Sequence, residues 1–529
     1  MGGNCRWLLI NQNPLQGSLN ILRRQSCRLR KIHKPLEVLL DKDYQTLHHD
    51  FPDLNHFIEL VLKLCQENGF FDPDQSIYIN RTPGRLDLLG GNDDYSGGLV
   101  FETTIREATL VALQARLDER VILYNPAVQS LGWQELVEFS LSDLQSNSGV
   151  KPLETVRKWI NKDPKRAWSA YIIGDLYFLL QEFHLKIKHG FNLFLVSDVP
   201  IGKGVSSSAA LEVSAMKAIA HLYGIHAEGV QLATWTQWVE IALTDSACGI
   251  MDQLTVTLGD QDQFLPILCQ PGKPYPLVKL PSNLRIWGID SGVKHAISGS
   301  EYEVARAATF MGYRYLTNWE QLPVTLEKNG PLQRYVDPLW NGYLANLTPS
   351  LFRNRYEQRL PEYILGRDFI KYFPDHADPY TPVREEVIYP VRAATRYAVE
   401  ENWRVHSFYT MLLSTVAIDI NIANQLGELM FLCHEGYSQC GLGTSATDKI
   451  VNLVRQEKEN GLIGAKVTGG GAGGTVAILG FNTPSAENAF KRVVQMYAEW
   501  SQSNPYIFEG SSAGCDKFGV FELKNCNVK

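Results

Sequence analysis

The sequence predicts a protein of two domains packed on each other, with strands and helices mixed along both. Three observations carry that expectation. The chain has 529 residues, which is long for a single hydrophobic core. Stretches with strand and helix periodicity are mixed along it. Three dense glycine clusters, Gly84 to Gly98, Gly202 to Gly204 and Gly469 to Gly474, stand far apart between those stretches. The expected layout is a basic, poorly ordered extension over 1–50, a first domain over 51–300 and a second over 301–529. Residues 318–390, rich in Asn, Pro, Tyr and Arg and weak in periodicity, read as an elaboration of short helices and long loops.

Composition narrows the class. Apolar residues make up 45% and charged residues 20%, the mix of a soluble globular protein, so disorder as the main state is excluded. A net charge of −7 argues against a nucleic-acid binder. No apolar run reaches membrane-spanning length; even Tyr171 to Leu180 carries Asp175. Nine cysteines without a Cys-x-x-Cys pair make neither a disulfide framework nor a zinc site. Cys433, His434 and Cys440 fit no zinc spacing and read as structural. The expectation is a monomer with free thiols in the cytoplasm, with no nucleic-acid or membrane partner.

Met1 to Pro35 stands apart: it carries Arg6, Arg23, Arg24, Arg28, Arg30, Lys31 and Lys34 and no acid. Such a start is open to a transit peptide, a disordered extension or a start codon placed too early, and its few serines and missing amphipathic period favour the latter two. Arg6 stands where a myristoylation signal needs Ser or Thr. The first periodic helix begins near Asp53, with Leu54, Phe57, Leu60, Val61 and Leu64 at three- and four-residue intervals and Gly69 to close it.

The middle cluster is the most informative. Phe191 to Ser197 reads as a strand. Pro200-Ile-Gly-Lys-Gly-Val-Ser-Ser-Ser-Ala-Ala follows, and then a helix with Leu211, Ala215, Ile219 and Leu222 on one face and Gly224 as its stop. A glycine- and serine-rich loop thus feeds a helix N-terminus, where free N–H groups and the positive end of the dipole favour an anion. The hydroxyls of Ser206, Ser207 and Ser208 add donors and a possible Mg²⁺ ligand. A plain serine-capped helix has the same look, and the loop is not a P-loop, because G-x-x-x-x-G-K-[ST] is absent. In the last cluster Gly469, Gly471 and Gly474 satisfy G-x-G-x-x-G. Ala465-Lys-Val-Thr before it and Thr475-Val-Ala-Ile-Leu after it read as strand–turn–strand, which excludes a dinucleotide fingerprint. A turn that approaches a substrate or the phosphate loop fits better.

Taken together, these clusters resemble the GHMP small-molecule kinases, galactokinase-like branch. Gly84-Arg-Leu-Asp-Leu-Leu-Gly-Gly-Asn-Asp-Asp-Tyr resembles the galactokinase signature. Pro200 to Ala210 resembles the phosphate-binding motif. Gly464-Ala-Lys-Val-Thr-Gly-Gly-Gly-Ala-Gly-Gly resembles the third motif. Cys248-Gly-Ile-Met-Asp-Gln and Asp290-Ser-Gly-Val-Lys-His, followed by Ser300-Glu-Tyr, are galactokinase-like as well. Arg81-Thr-Pro-Gly-Arg-Leu-Asp, Leu360-Pro-Glu-Tyr-Ile-Leu-Gly, Cys440-Gly-Leu-Gly and Ile507-Phe-Glu-Gly-Ser-Ser resemble the kinase half of plant-type L-arabinokinases.

The resemblance implies a two-domain α+β GHMP kinase fold with the active site in the interdomain cleft, and an ATP-dependent sugar 1-kinase that uses Mg²⁺. Phosphoryl transfer is mostly positioning and electrostatics. The implied base for the anomeric hydroxyl is Asp252, and Arg85 keeps it ionised. Ser208 and Glu240 match the Mg²⁺ pair. Gly202, Lys203, Gly204, Ser206, Ser207, Ser208 and Ala209 would cradle ATP, Trp168 would stack on adenine, and Gly470, Gly471 and Gly473 form the third motif. In isolation Trp168 reads as plain core and Glu240 as a structural acid; within the matched set Arg85 and Asp252 read as functional. In the sugar pocket Asp94, Asn92, Gly91, Gly249 and Tyr302 are implied. Galactokinases carry a glutamate for the sugar 6-hydroxyl where this chain has Gly91. A pentopyranose lacks that group, and a buried carboxylate without a partner is costly. L-arabinose, giving β-L-arabinose 1-phosphate, is therefore the expected reaction. Galactose, galacturonate or fucose are the alternatives. A non-catalytic sugar sensor ranks below an enzyme, because Arg85, Ser208, Glu240 and Asp252 are all intact.

Overall fold

Two long strands form the spine of the first domain. Ile77–Leu89 and Leu99–Ala115 pair antiparallel along most of their length. Alternate residues of the second strand face opposite cores, as a period of two requires. Val111 and Leu113 point into the helices of the phosphate loop, while Leu110 and Ala112 meet the N-terminal helix. Because both faces are covered, the two strands are almost wholly buried.

The computed structural model describes residues 28–31, 51–66, 69–244, 246–293, 301–414 and 417–524. Among them the first sheet has ten strands. Its main order is Arg28–Lys31, Val520–Lys524, Ile77–Leu89, Leu99–Ala115, Phe191–Ser197, Arg120–Tyr124 and Leu136–Ser140, with Gln263–Leu268 on the far end of Leu99–Ala115. Ser169–Glu182, Ser207–Leu222, Gly229–Thr244 and Met251–Leu258 cover one face. Pro52–Gln66 covers the other through Leu54, Phe57, Ile58 and Val61, as its apolar spacing predicts.

The second sheet has four antiparallel strands in the order Leu462–Val467, Thr475–Phe481, Leu284–Asp290 and Ile507–Glu509. Helices Ile420–Gln439, Ser445–Gln456 and Pro484–Ser501 pack around it. The largest apolar cluster joins the two domains. Leu86, Leu88 and Phe101 of the first sheet meet Tyr397, Val405 and Phe408 of the helix Val391–Leu413.

These pairings correct the expected domain limits. Leu284–Asp290 falls before residue 300 yet belongs to the second sheet, where Trp287 stacks on Phe490 at 4.8 Å between ring centroids. Val520–Lys524 falls after residue 301 yet returns to the first sheet beside Ile77–Leu89. Apolar alternation marks a strand but does not name its sheet, so the boundary was drawn at a glycine-poor gap and not at a change of partner. The elaboration 318–390 holds short helices, Pro349–Arg355 and Gly366–Tyr372, and also two small hairpins. Most of the basic extension lies outside the described residues, as do Lys294, His295 and Ser300. Among the described residues no helix is long and apolar enough to cross a membrane. The six described cysteines are unpaired with one another. His434 is engaged by Asp448 at 2.9 Å and by the backbone N–H of Val467.

Candidate active site

The strand Phe191–Ser197 runs into the glycine–serine loop, and the helix Ser207–Leu222 leaves it. The turn needs left-handed backbone at Gly202, Gly204 and Ser206, with φ of 72°, 70° and 61°. Two of these positions are glycines, which adopt such values without strain. Ser206 is buried and its hydroxyl has no partner. Gly202, Gly204 and the three serines line one cavity of about 100 Å³ together with Arg85, Asp252, Glu240 and the residues of the sugar wall. An unpartnered hydroxyl and a helix N-terminus facing a half-open cavity are suited to an anion.

Arg85 and Asp252 meet across this cavity. Arg85 lies in Ile77–Leu89 between two register shifts, one at Pro83/Arg85 and one at Asp87/Leu89. Such bulges re-aim side chains. Asp252 stands in the first turn of Met251–Leu258. Arg85 Nε donates to Asp252 Oδ1 at 2.9 Å, one terminal nitrogen lies 2.8 Å from the same oxygen, and the other donates to the Gly204 carbonyl at 2.6 Å. One guanidinium thus joins the carboxylate to the phosphate loop. Burial pulls the Arg85 pKa down, but the charges of Asp252, Glu102 and Asp87 outweigh it and the net direction is up. Arg85 stays charged, while the Asp252 side chain keeps 25% of its surface exposed for a substrate.

Behind Arg85 sits a second set of charges. Asp87 and Lys466 form an ion pair with neither side chain exposed. Asp87 Oδ1 also accepts from the Gly91 N–H at 3.1 Å, and its own N–H donates to Thr468 Oγ1 at 2.7 Å. Glu102 is fully buried, accepts no hydrogen bond, and lies 3.6 Å from Arg85 Nε. Burial first and the neighbouring Asp87 second push its carboxyl well above the usual range. Arg85-Leu-Asp87 was legible as a motif, but the pairing with Lys466 was not. The signal for Glu102 was a single acid inside the apolar run Leu99-Val-Phe-Glu.

Glu240 and Ser208 lie side by side on the cavity floor, and the Ser208 hydroxyl donates to the Glu240 carboxylate. Gln253 Nε2 donates to the same carboxylate at 2.6 Å. Burial raises the Glu240 pKa to about 7 against these donors. A hydroxyl and a carboxylate with a cost of burial to offset are a donor set that suits Mg²⁺ when phosphate oxygens complete its shell. Among the described residues no group of three His, Cys, Asp or Glu side chains is arranged for a metal.

The sugar wall is built by Asp94, Asn92, Gly249 and Tyr302, all of which line the cavity. Asp94 accepts from the backbone N–H of Tyr95 at 2.9 Å and from that of Met251. Burial and the nearby Asp252 raise its pKa to about 6, and Arg306 pulls the other way. Asn92 adopts φ 61° and its Oδ1 accepts from the Tyr95 hydroxyl at 2.8 Å. Gly249 packs flat on Asp94: a Cβ there would fall into the carboxylate.

Four expected contacts are placed elsewhere. Gly91 does not line the cavity. A Cβ on it would overlap the Asp87 carboxylate and the Tyr437 hydroxyl, and its carbonyl accepts from Tyr397 at 2.6 Å. It is a packing glycine. Lys203 turns away from the cavity to Asp290 at 2.7 Å, because an acid at the end of Leu284–Asp290 stands opposite it. Trp168 is 4% exposed, packs in the helix core and donates its indole N–H to the Gln134 carbonyl at 2.8 Å; little ring face is left for an adenine. Ala209 is fully buried. Of the third-motif glycines, Gly470 lines the cavity, Gly471 abuts Leu442 and Tyr437, and Gly473 abuts Val293. Gly469 and Gly474 make the approach to the loop. A Cβ on Gly469 would meet Arg85 at 2.8 Å and the Gly204 carbonyl at 2.9 Å, and one on Gly474 would meet the Lys203 carbonyl at 2.8 Å. Leu462–Val467 and Thr475–Phe481 flank this turn as antiparallel strands, as the sequence context predicts.

A serine-rich helix start that shares a half-open cavity with a carboxylate and an arginine is the arrangement expected of small-molecule kinases that lack a P-loop. Within that class the chain belongs to the GHMP kinases. It matches their N-terminal domain over residues 170–260, their C-terminal domain over 417–499, and the galactokinase galactose-binding signature over 69–115. L-arabinokinase of Arabidopsis thaliana is 35% identical over 497 residues, which covers 86% of this chain and 48% of the relative. Galactokinase of Chloroflexus aurantiacus is 36% identical over 238 residues, 45% of this chain and 55% of the relative. The chain thus spans about half the length of these curated relatives. A crystal structure of Lactococcus lactis galactokinase complexed with galactose superposes with a TM-score of 0.64 at 21% identity, covering 86% of this chain and 99% of that one. This likeness establishes the fold.

Proposed function

We propose that the chain is an ATP-dependent sugar 1-kinase, with L-arabinose as substrate and β-L-arabinose 1-phosphate and ADP as products. The observation that carries this reading is the Arg85–Asp252 pair in one cavity with Ser206, Ser207 and Ser208. Asp252 accepts the proton of the anomeric hydroxyl as the bond to phosphorus forms. Arg85 orients the Asp252 carboxylate and, through the Gly204 carbonyl, fixes the loop that holds the phosphates. Ser206 has a hydroxyl free to donate to a phosphate oxygen. Ser208 and Glu240 would hold a Mg²⁺ ion, which neutralises charge on the ATP phosphates. Asp94, Asn92 and Tyr302 would hold the sugar hydroxyls.

The choice of arabinose is supported by position 91. Gly91 has no room for a side chain beside Asp87 and Tyr437, so no carboxylate reaches a 6-hydroxyl from there. The relative named L-arabinokinase supports the same choice. Galactose is the second reading, favoured by the match to the galactose-binding signature over residues 69–115. The test is coupled ADP release with Mg-ATP against L-arabinose, D-galactose, D-galacturonate and L-fucose, with Asp252→Ala as the blank. Arabinose turnover that the variant loses supports the proposal. A higher kcat/KM on galactose overturns the sugar assignment. ATP binding without turnover on any sugar moves the reading to a non-catalytic sensor.

A further inference from the structure

Arg306 lies one turn after Tyr302 on the helix Glu301–Trp319 and is 4% exposed. Its Nε donates to Asp378 Oδ2 at 2.8 Å and a terminal nitrogen donates to Asp378 Oδ1 at 3.0 Å. The other terminal nitrogen donates to the carbonyls of Ala247 and Cys248, both at 3.2 Å. The guanidinium also lies over the rings of Tyr95 at 5.0 Å and Tyr380 at 5.8 Å. Asp378 is held in turn by Thr381 Oγ1 at 2.6 Å and the Tyr380 N–H at 3.2 Å. Asp378 and Tyr380 belong to the elaboration 318–390, for which sequence motifs supply no role. Ala247 and Cys248 lead directly into Gly249, which packs on Asp94, and on to Asp252.

This arrangement has a direction. A planar fork satisfies one carboxylate bidentately and still spans two carbonyls of a loop. The other ties of the loop are longer or local: the Ser246 N–H donates to the Glu240 carbonyl at 3.3 Å, the Cys248 N–H to the Ser246 carbonyl at 2.9 Å, Gln237 Nε2 to the Cys248 carbonyl at 3.5 Å and Gln253 Nε2 to the Cys248 sulfur at 3.9 Å. A chamber of about 320 Å³, walled on one side by the elaboration, shares Asp94, Cys248 and Gly249 with the catalytic cavity. Ile250 and Met251 pack into an apolar cluster at one end of the segment, while Arg306 makes the shortest side-chain hydrogen bonds to the Ala247 and Cys248 carbonyls beside the open chamber.

We propose that Arg306 and Asp378 are positioning residues of the sugar site, through which the elaboration holds the segment 247–252 and seats Gly249 against Asp94. This rests on the sugar-kinase reading for its kinetic consequence but not for its structural one. The role differs from that of a general brace, because it acts directly on the segment beside Asp94 and reaches the phosphate loop only through Asp252 and Arg85.

The experiment compares Asp378→Asn, Arg306→Lys and Arg306→Met with the unaltered full chain. Two readouts are taken: amide hydrogen exchange without ligand, and the KM values for sugar and for ATP. Asp378→Asn keeps size while removing the charge that orients the fork. It is expected to speed exchange over 246–252 while leaving the helix 207–222 unchanged. It is also expected to raise the sugar KM about tenfold with the ATP KM steady. Arg306→Lys, which keeps the charge but loses the fork, should fall between Asp378→Asn and Arg306→Met. Unchanged exchange over 246–252 in Asp378→Asn overturns the proposal, as does an equal rise in both KM values. If Arg306→Met does not fold, Asp378→Asn alone decides. If the unaltered chain phosphorylates no sugar, the kinase reading falls, while the exchange data still decide whether the pair holds the segment.

Discussion

Replacing Arg85 by lysine separates its charge from its geometry. The guanidinium makes two contacts to Asp252 Oδ1, at 2.9 and 2.8 Å, and a third to the Gly204 carbonyl at 2.6 Å. An ammonium is a point charge on a different stem and cannot reach both partners from that strand. The fold should survive, because the charge that balances Glu102 and Asp87 is retained. What is lost is at least one charge-assisted hydrogen bond in the reacting geometry, worth about 1.5–3 kcal/mol. If that bond is expressed in the transition state, kcat falls about 10- to 150-fold. The assay is coupled ADP release at saturating sugar and Mg-ATP, with a thermal melt to confirm an equal folded fraction. A kcat within about twofold of the unaltered chain refutes the reasoning, since the fork would then hold nothing that the reaction needs.

Two further outcomes follow from buried charges. Lys466→Met strands the Asp87 carboxylate, which has no exposed surface, so the denaturant midpoint should report a loss of about 3–5 kcal/mol. Adding Asp87→Asn to the same chain should recover most of it; a double variant no more stable than the single one rules out the pair as the cause. Asp175 is fully buried without a hydrogen-bond partner, and burial alone raises its pKa well above the usual range. Its protonated form favours the folded state, so this contribution is complete below the unfolded pKa and is lost as pH rises toward the folded one, by at most about 1.4 kcal/mol per pH unit. Asp175→Asn should therefore flatten the fall in unfolding free energy with pH above about pH 5, and equal slopes in both proteins would contradict the assignment.

What sequence made legible was local. The strand Phe191–Ser197, the serine-rich turn and the helix that follows were visible in spacing and glycine placement, and the structure puts each element there. The strand–turn–strand context of Gly469 to Gly474 was visible in the same way. What escaped was direction and partner. Lys203 is a cation in a phosphate loop, yet Asp290, 87 residues further along by the numbering of the chain, takes its charge. Trp168 has a ring suited to stacking, yet its N–H and both faces are used in the core. Arg306 and Asp378 lie 72 residues apart in regions without shared periodicity, so nothing in one stretch announces the other. Residue type fixes what a side chain can do, and only the path of the chain decides what stands opposite it.

Gly91 shows how a correct residue can carry an incomplete reason. Read from sequence, it is a glutamate removed because a smaller sugar needs no partner for a 6-hydroxyl. In the structure a side chain at 91 and the Asp87 carboxylate claim the same space, with the Tyr437 hydroxyl beside them. Asp87 is fixed there by Lys466 and by the Gly91 N–H, and the Tyr437 hydroxyl beside it donates to the Gly469 carbonyl at 2.6 Å. The glycine is therefore also required by the ion pair that clamps the third-motif turn to the strand of Arg85. A side chain restored at 91 would have to displace Asp87 before it could reach the cavity, so such a variant would first require that the Asp87–Lys466 pair be replaced.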